Sequence, residues 1–152
     1  MMPQRTMIHR RVDAAKTKRN PAVICQLPSG WVVMADDQVT PGCCQLLPDP
    51  VVQYLNSLDN DARVQFLSDM ALVGDAIMEV TDAYSIHYEI LGSAEIPLHA
   101  NIFPRYMSES EESRKLPAWY YYEANKRMPP GFDPERDKEL MRKIANSIQS
   151  KL

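Results

Sequence analysis

Pro97-Leu98-His99-Ala100-Asn101-Ile102-Phe103-Pro104-Arg105-Tyr106 opens with side chains that alternate between apolar and polar, as a half-buried strand requires. Leu98, Ala100 and Ile102 would share one face and His99 and Asn101 the other. Tyr84 to Leu91 repeats the pattern, with Ile86, Tyr88 and Ile90 inward and His87 and Glu89 outward. Gly92-Ser93 supplies a turn between them, so the two segments are predicted to pair as an antiparallel hairpin. A turn centred near Ala94 would set Glu89 opposite His99 and His87 opposite Asn101. Directly opposed residues have Cβ atoms about 4.5–5.5 Å apart, close enough for imidazole, carboxylate and amide to meet.

Working outward, Ala22–Leu27 and Trp31–Ala35 flank the turn Pro28-Ser29-Gly30 and predict a second hairpin. Asp36-Asp37-Gln38 and Thr40-Pro41-Gly42 lead to a third strand, Cys43 to Leu47, closed by Pro48. Asp49-Pro50 has the form of a helix start, an N-cap acceptor followed by proline, and predicts a helix to about Leu58. A longer helix is expected from about Asp59 to Thr81, with Phe66, Met70, Val73, Ile77 and Val80 on one face and Gly74 at a close approach. Pro104 to Gly131 reads as loop carrying the cluster Trp119-Tyr120-Tyr121-Tyr122. A last helix opens at Asp133-Pro134, with acids early, bases late, and a buried stripe of Leu140, Met141, Ile144, Ala145 and Ile148.

The 152 residues suit one domain, and 45% hydrophobic with 24% charged residues is ordinary globular composition. A formal charge of −3 excludes a strongly basic, nonspecific polyanion binder, so a nucleic-acid partner is not expected. No apolar run reaches the roughly 18–20 residues a bilayer needs, and no secretory leader is expected, which points to a cytoplasmic protein without a membrane partner. Cys25, Cys43 and Cys44 are expected to be free thiols. Residues 1–20, with Arg5, Arg10, Arg11, Lys16, Lys18 and Arg19 against Asp13, read as a solvated basic N-terminal arm or short helix, with a phosphate-attracting arm as the alternative.

In order and spacing these parts resemble the histidine triad (HIT) superfamily of nucleotide hydrolases and transferases. Pro97 to Tyr106 is similar to its signature strand, His-x-His-x-His followed by two apolar residues and often Pro-Arg. Gly30-Trp31-Val32-Val33-Met34, the following acids, Pro41-Gly42 and Leu46-Leu47-Pro48 resemble its opening strands. The resemblance implies an α+β fold: an antiparallel sheet of about five strands with two central helices and a C-terminal helix. It assigns residues 21–106 to the HIT-like domain and 107–152 to a C-terminal loop and helix packed on it.

Aligned on Pro104-Arg105, the family's nucleophile falls on His99, while Pro97 and Asn101 replace the first and third histidines. The resemblance implies attack of His99 on the α-phosphorus of a nucleotide or nucleotide conjugate. Asn101 would hold a phosphate oxygen and Asp36 or Asp37 the ribose. From the pairing above, Glu89 would hold the far nitrogen of His99, a place the resemblance gives to a backbone carbonyl, and His87 would supply the charge Asn101 lacks. The loop Gly92 to Ile96 is short beside the family's phosphate-holding stretch. The resemblance further implies a homodimer packed through the long helix and the adjoining strand, with no cofactor and no bound metal. Two alternatives remain: a catalytically degenerate dimeric nucleotide-binding or interaction module, and a metal site of His87, His99 and Glu89 with a nearby cysteine.

Overall fold

The structure is a computed structural model that describes residues 5–92 and 96–152. Five strands form one antiparallel sheet: β1 (Val23–Leu27), β2 (Gly30–Met34), β3 (Cys44–Pro48), β4 (Ser85–Glu89) and β5 (Ala100–Arg105). Their order is β1-β2-β3-β5-β4, so β5 is flanked on both sides and β4 forms an edge. The helices are α1 (Met7–Lys16), α2 (Asn60–Val80), α3 (Glu111–Arg114), α4 (Ala118–Ala124) and α5 (Pro134–Ser150). None of them is long and apolar enough to cross a membrane.

The long helix α2 starts where Asp59 accepts a hydrogen bond from the Ala62 N–H, and it buries Phe66, Val73, Ala76 and Ile77. It lies on the sheet face that carries Ala100 and Ile102, with α5 packed beside it through Ile144 and Ile148. Asp69, buried on the same helix, accepts from the Ser29 N–H at 2.9 Å and from the Gln65 amide at 2.8 Å. This carboxylate pins the β1–β2 turn to the helix. Gly74 answers to a close approach: a Cβ there would lie 1.9 Å from the Tyr88 hydroxyl of β4. Gly42 has φ +92°, a left-handed conformation that favours glycine, and it directs the chain into β3.

Three expectations are corrected. Asp49-Pro50 does not open a helix; only a single 3₁₀ turn forms, Leu55–Ser57. The Asp49 carboxylate is occupied elsewhere, accepting from the Trp31 indole at 3.0 Å and pairing with Lys16. The Val52 carbonyl accepts from the Leu98 N–H at 2.9 Å, which holds that segment against the chain entering β5. The stretch read as loop after Pro104 contains α3 and α4, opened by Ser110, whose hydroxyl caps the Ser113 N–H, and by Pro117. In the β4–β5 pair, each β4 residue faces the β5 residue two positions further on than expected. Glu89 lies opposite Asn101 and His87 opposite Phe103. A shift by two keeps every side chain on its face, because the pleat repeats every two residues. β4 ends at Glu89 and β5 begins only at Ala100, further on than a tight turn needs; Ser93 and Ala94 of the expected turn lie outside the described residues.

The N-terminal basic segment folds as α1 under a reciprocal cap between Thr6 and His9. Ile8 and Val12 on this helix join the main core.

Candidate functional site

The alternation of β5 places Leu98, Ala100 and Ile102 in the core and leaves His99 and Asn101 half-buried on the opposite face. That face is covered unevenly. At the Arg105 end, Phe103 packs with Ala118, Val39 and Cys43 in a second, smaller core that α4 completes. Towards β3, α1 lies over the sheet, and Arg11 reaches Gln45 from it. Between these two, His99 and Asn101 remain partly exposed.

His99 precedes β5 by one residue, and its Nδ1 lies 3.0 Å from the Pro97 carbonyl. A carbonyl only accepts, so Nδ1 carries a proton, and of the two neutral tautomers this contact selects the one with a bare Nε2. Glu89 does not hold the far nitrogen of His99 as expected, since it stands opposite Asn101. Among the described residues no hydrogen bond joins Glu89 to His99, whose Nδ1 is held by the Pro97 carbonyl instead. Burial pushes the Glu89 carboxyl above its ordinary value, and Arg105 offsets part of that rise.

Asn101 belongs to a chain of side chains. The Gln45 amide nitrogen donates to Asn101 Oδ1 at 2.8 Å. Gln45 Oε1 accepts from Arg11 Nη1 at 3.1 Å, and Arg11 Nη2 pairs with Asp36. The direction of this chain follows from its cation. A guanidinium only donates, so Gln45 turns its oxygen to Arg11 and its nitrogen to Asn101, leaving the Asn101 amide N–H₂ to point outward.

His87 is separated from this group. It sits opposite Phe103, four residues along the strand from His99, or about 13 Å at the strand rise. Its Nδ1 lies 3.0 Å from Arg105 Nη1 and must accept that hydrogen bond. Burial and the adjacent Arg105 charge both hold the His87 pKa below the usual value. The charge expected from His87 is therefore missing at Asn101. The proposed His87–His99–Glu89 metal set is likewise not assembled, and no cluster of three such ligands exists among the described residues.

Of the two acids after β2, Asp36 is engaged by Arg11. Asp37 is exposed and bridges to Gly131 through its backbone. The cysteines are unpaired thiols. Burial raises the Cys25 pKa to about 11 and pushes those of Cys43 and Cys44 well above the ordinary thiol value, so none is a ready nucleophile. A cavity of about 190 Å³ lined by Thr40, Glu109, Ser113 and Tyr122 lies at the α3–α4 end, below the roughly 300–1,000 Å³ typical of ligand sites.

Arg11 was missed from the sequence as a site residue, although Ile8, Val12 and Ala15 mark a helical stripe that fixes its position. Gln45 carries no motif and becomes visible only through its pairing with Asn101.

The fold recurs in solved structures. A histidine triad protein from Bradyrhizobium japonicum superposes with a TM-score of 0.70 at 20% identity, over 83% of this chain and 89% of that one. One from Marinobacter aquaeolei VT8 gives 0.70 at 17% identity, over 84% and 88%. A hypothetical histidine triad nucleotide-binding protein from Sulfolobus tokodaii strain7 gives 0.71 at 13%, over 93% and 92%. The chain has the histidine triad fold. No protein-family model matches the sequence, and no match is found among curated proteins. Within the HIT fold, β5 is the strand that resembles the triad signature. Here the stretch that leads into and forms β5, Pro97 to Tyr106, holds a single histidine, His99, with Pro97 and Asn101 two residues to either side.

Proposed function

We propose that this chain is a HIT-like nucleotide hydrolase or nucleotidyl transferase that acts at the α-phosphate through His99. The observation that carries the reading is the bond between His99 Nδ1 and the Pro97 carbonyl. It holds the ring in the tautomer that leaves the Nε2 lone pair available, as a nitrogen nucleophile needs. In the first step Nε2 forms a bond to the α-phosphorus while the bond to the leaving oxygen breaks, that oxygen keeping the electron pair and taking a proton. Glu89, with its raised pKa, is the group on this face suited to supply it. In the second step water or another acceptor, giving its proton back to the Glu89 carboxylate, attacks phosphorus; the P–Nε2 bond breaks and its electron pair returns to His99. The Asn101 N–H₂ donates to a non-bridging oxygen, and Asp37 is the acid left to accept ribose hydroxyls.

Incubation with an α-labelled nucleotide is expected to leave an acid-labile adduct on the protein that disappears in His99→Ala. An identical adduct on that variant removes His99 from the reaction. The second reading, a catalytically degenerate binding module, is favoured by the neutral Asn101 and by Pro97; it expects nucleotide binding with no adduct and no turnover.

The homodimer is also proposed. The edge strand β4 and the adjoining part of α2 expose Met78, Tyr84, Tyr88 and Leu91, an apolar margin beside an unpaired strand edge. Unpaired thiols fit a reducing, cytoplasmic setting.

A further inference from the structure

We propose that Arg11 is the anion-binding cation of this site, and that Asp36 holds its place until a phosphate group displaces it. The proposal rests on the reading above in taking that group to be the α-phosphate of a nucleotide.

A phosphate needs positive charge, and the strand that carries His99 supplies none. Asn101 is neutral, and His87 is kept unprotonated beside Arg105. Arg105 itself is fully buried, with its nitrogens donating to Glu109, Ser113, Leu116 and His87. Arg11 is differently placed. It is the guanidinium joined to Asn101 through a single intervening side chain, Gln45.

Its two nitrogens have unequal partners. Nη1 is bonded to Gln45 within the sheet surface, where the Arg11 side chain is only 19% exposed. Nη2 faces Asp36, whose side chain is 62% exposed. A carboxylate so open to water is a weak partner, since exposed ion pairs contribute little. The phosphate of adenosine monophosphate presents more charge and three non-bridging oxygens, and an α-phosphate that also bears a leaving group keeps two, in a geometry that a guanidinium fork matches. Exchange of Asp36 for phosphate would therefore gain interaction at Nη2 and leave the Nη1 bond undisturbed.

Arg11 also acts at a distance. Because it only donates, it fixes the orientation of Gln45 and, through it, the outward N–H₂ of Asn101. Loss of Arg11 removes one contact with the anion and leaves a second donor free to turn away.

The test measures calorimetric binding of inorganic phosphate and of adenosine monophosphate to the full chain, with circular dichroism on each variant. Arg11→Ala is expected to weaken both ligands about tenfold or more, and Arg11→Lys, which keeps the charge but not the fork, by less. Asp36→Asn is expected to tighten inorganic phosphate several-fold, and to have no such effect in the Arg11→Ala background. A merely structural pin between α1 and the sheet would not produce that gain. Unchanged binding by folded Arg11→Lys and Arg11→Ala overturns the proposal. So does an Asp36→Asn variant that weakens the nucleotide and leaves phosphate unchanged, which would make Asp36 a ribose acceptor. The His99 adduct, measured on the same samples, keeps the two readings apart. Adduct without Arg11–Asp36 coupling overturns this inference alone, and coupling without adduct overturns the nucleophile alone.

Discussion

Replacing Arg105 by methionine tests whether a buried guanidinium is what attaches the α3–α4 segment to the sheet. The Arg105 side chain is fully buried, and Glu109, its ion-pair partner, is 14% exposed. The contacts are Nε to both Glu109 oxygens, Nη2 to Glu109 Oε1 at 3.0 Å and the Ser113 carbonyl at 2.8 Å, and Nη1 to the Leu116 carbonyl at 2.9 Å and His87. Methionine fills similar space but leaves a nearly buried carboxylate without its cation and two carbonyls without their donor. Removing one member of a buried pair costs about 3–5 kcal/mol. For a chain of this length that lowers the melting temperature by about 6–20 °C. Urea denaturation followed by circular dichroism measures the loss. A double variant, Arg105→Met with Glu109→Leu, is expected to recover a substantial part, because the stranded charge is gone.

Acidity provides a second readout of the same substitution. Burial raises the Glu109 carboxyl, but hydrogen bonds from Arg105, the Tyr106 N–H and Ser113 outweigh it and hold the pKa below its ordinary value. A depressed acid contributes stability that is complete above its unfolded pKa, about 4.3, and is lost as pH falls through the folded value. That acid-side loss is expected in the wild type and reduced in Arg105→Met. A single variant that costs under about 1 kcal/mol, or a double variant no better than the single, refutes the assignment of Arg105 as the anchor.

Three further outcomes follow from the same contacts. His87 has a depressed pKa, caused by burial and then by Arg105, so its neutral form is the folded one; the unfolded chain binds the proton first, and wild-type stability should fall as pH drops below about 6.5. His87→Gln should flatten that part of the profile, and an identical slope in both proteins argues against the contact. Gly74→Ala gains about 1 kcal/mol of helix propensity but drives a Cβ into the Tyr88 hydroxyl; a net loss of about 1–2 kcal/mol is expected from the crowding, turning into a gain in a Tyr88→Ala background, as urea titration of the four proteins will show. Tyr84→Asp with Leu91→Asp should shift the mass measured by light scattering from dimer to monomer if the exposed β4 margin is the contact, whereas an unshifted mass places the contact elsewhere.

Much of the fold was legible because its periods are simple. The α2 stripe repeats at helical spacing, and β5 alternates cleanly between core and surface, so element types and faces could be read from Phe66–Val80 and Leu98–Ile102. The β4–β5 register was not legible. Side-chain alternation is blind to a shift by two, and the chain between the strands is longer than its turn residues suggest. Asp49 misled because a helix cap and a hydrogen-bond acceptor for Trp31 look alike in sequence. α3 and α4 were missed for the opposite reason: Ser110 with Glu111-Glu112, and Pro117 before Ala118, were start signals hidden among prolines.

The candidate site divides along the same line. His99 and Asn101 could be placed by alternation, since local pleat geometry decides their face. The partners of those residues could not, because each comes from a distant segment: Pro97 supplies a backbone atom, Gln45 comes from β3 and Arg11 from the N-terminal helix. The basic residues of α1 were read as a solvated charge run, which is what most such runs are. What separates Arg11 from its neighbours is its place beside the buried turn Ile8–Val12–Ala15, which holds it over β3. With Pro97 and Asn101 on either side of His99, this stretch offers a hydrogen-bonding amide and no added charge. For phosphate chemistry on such a strand, the charge must come from another element, and α1 carries the guanidinium already bonded into that network.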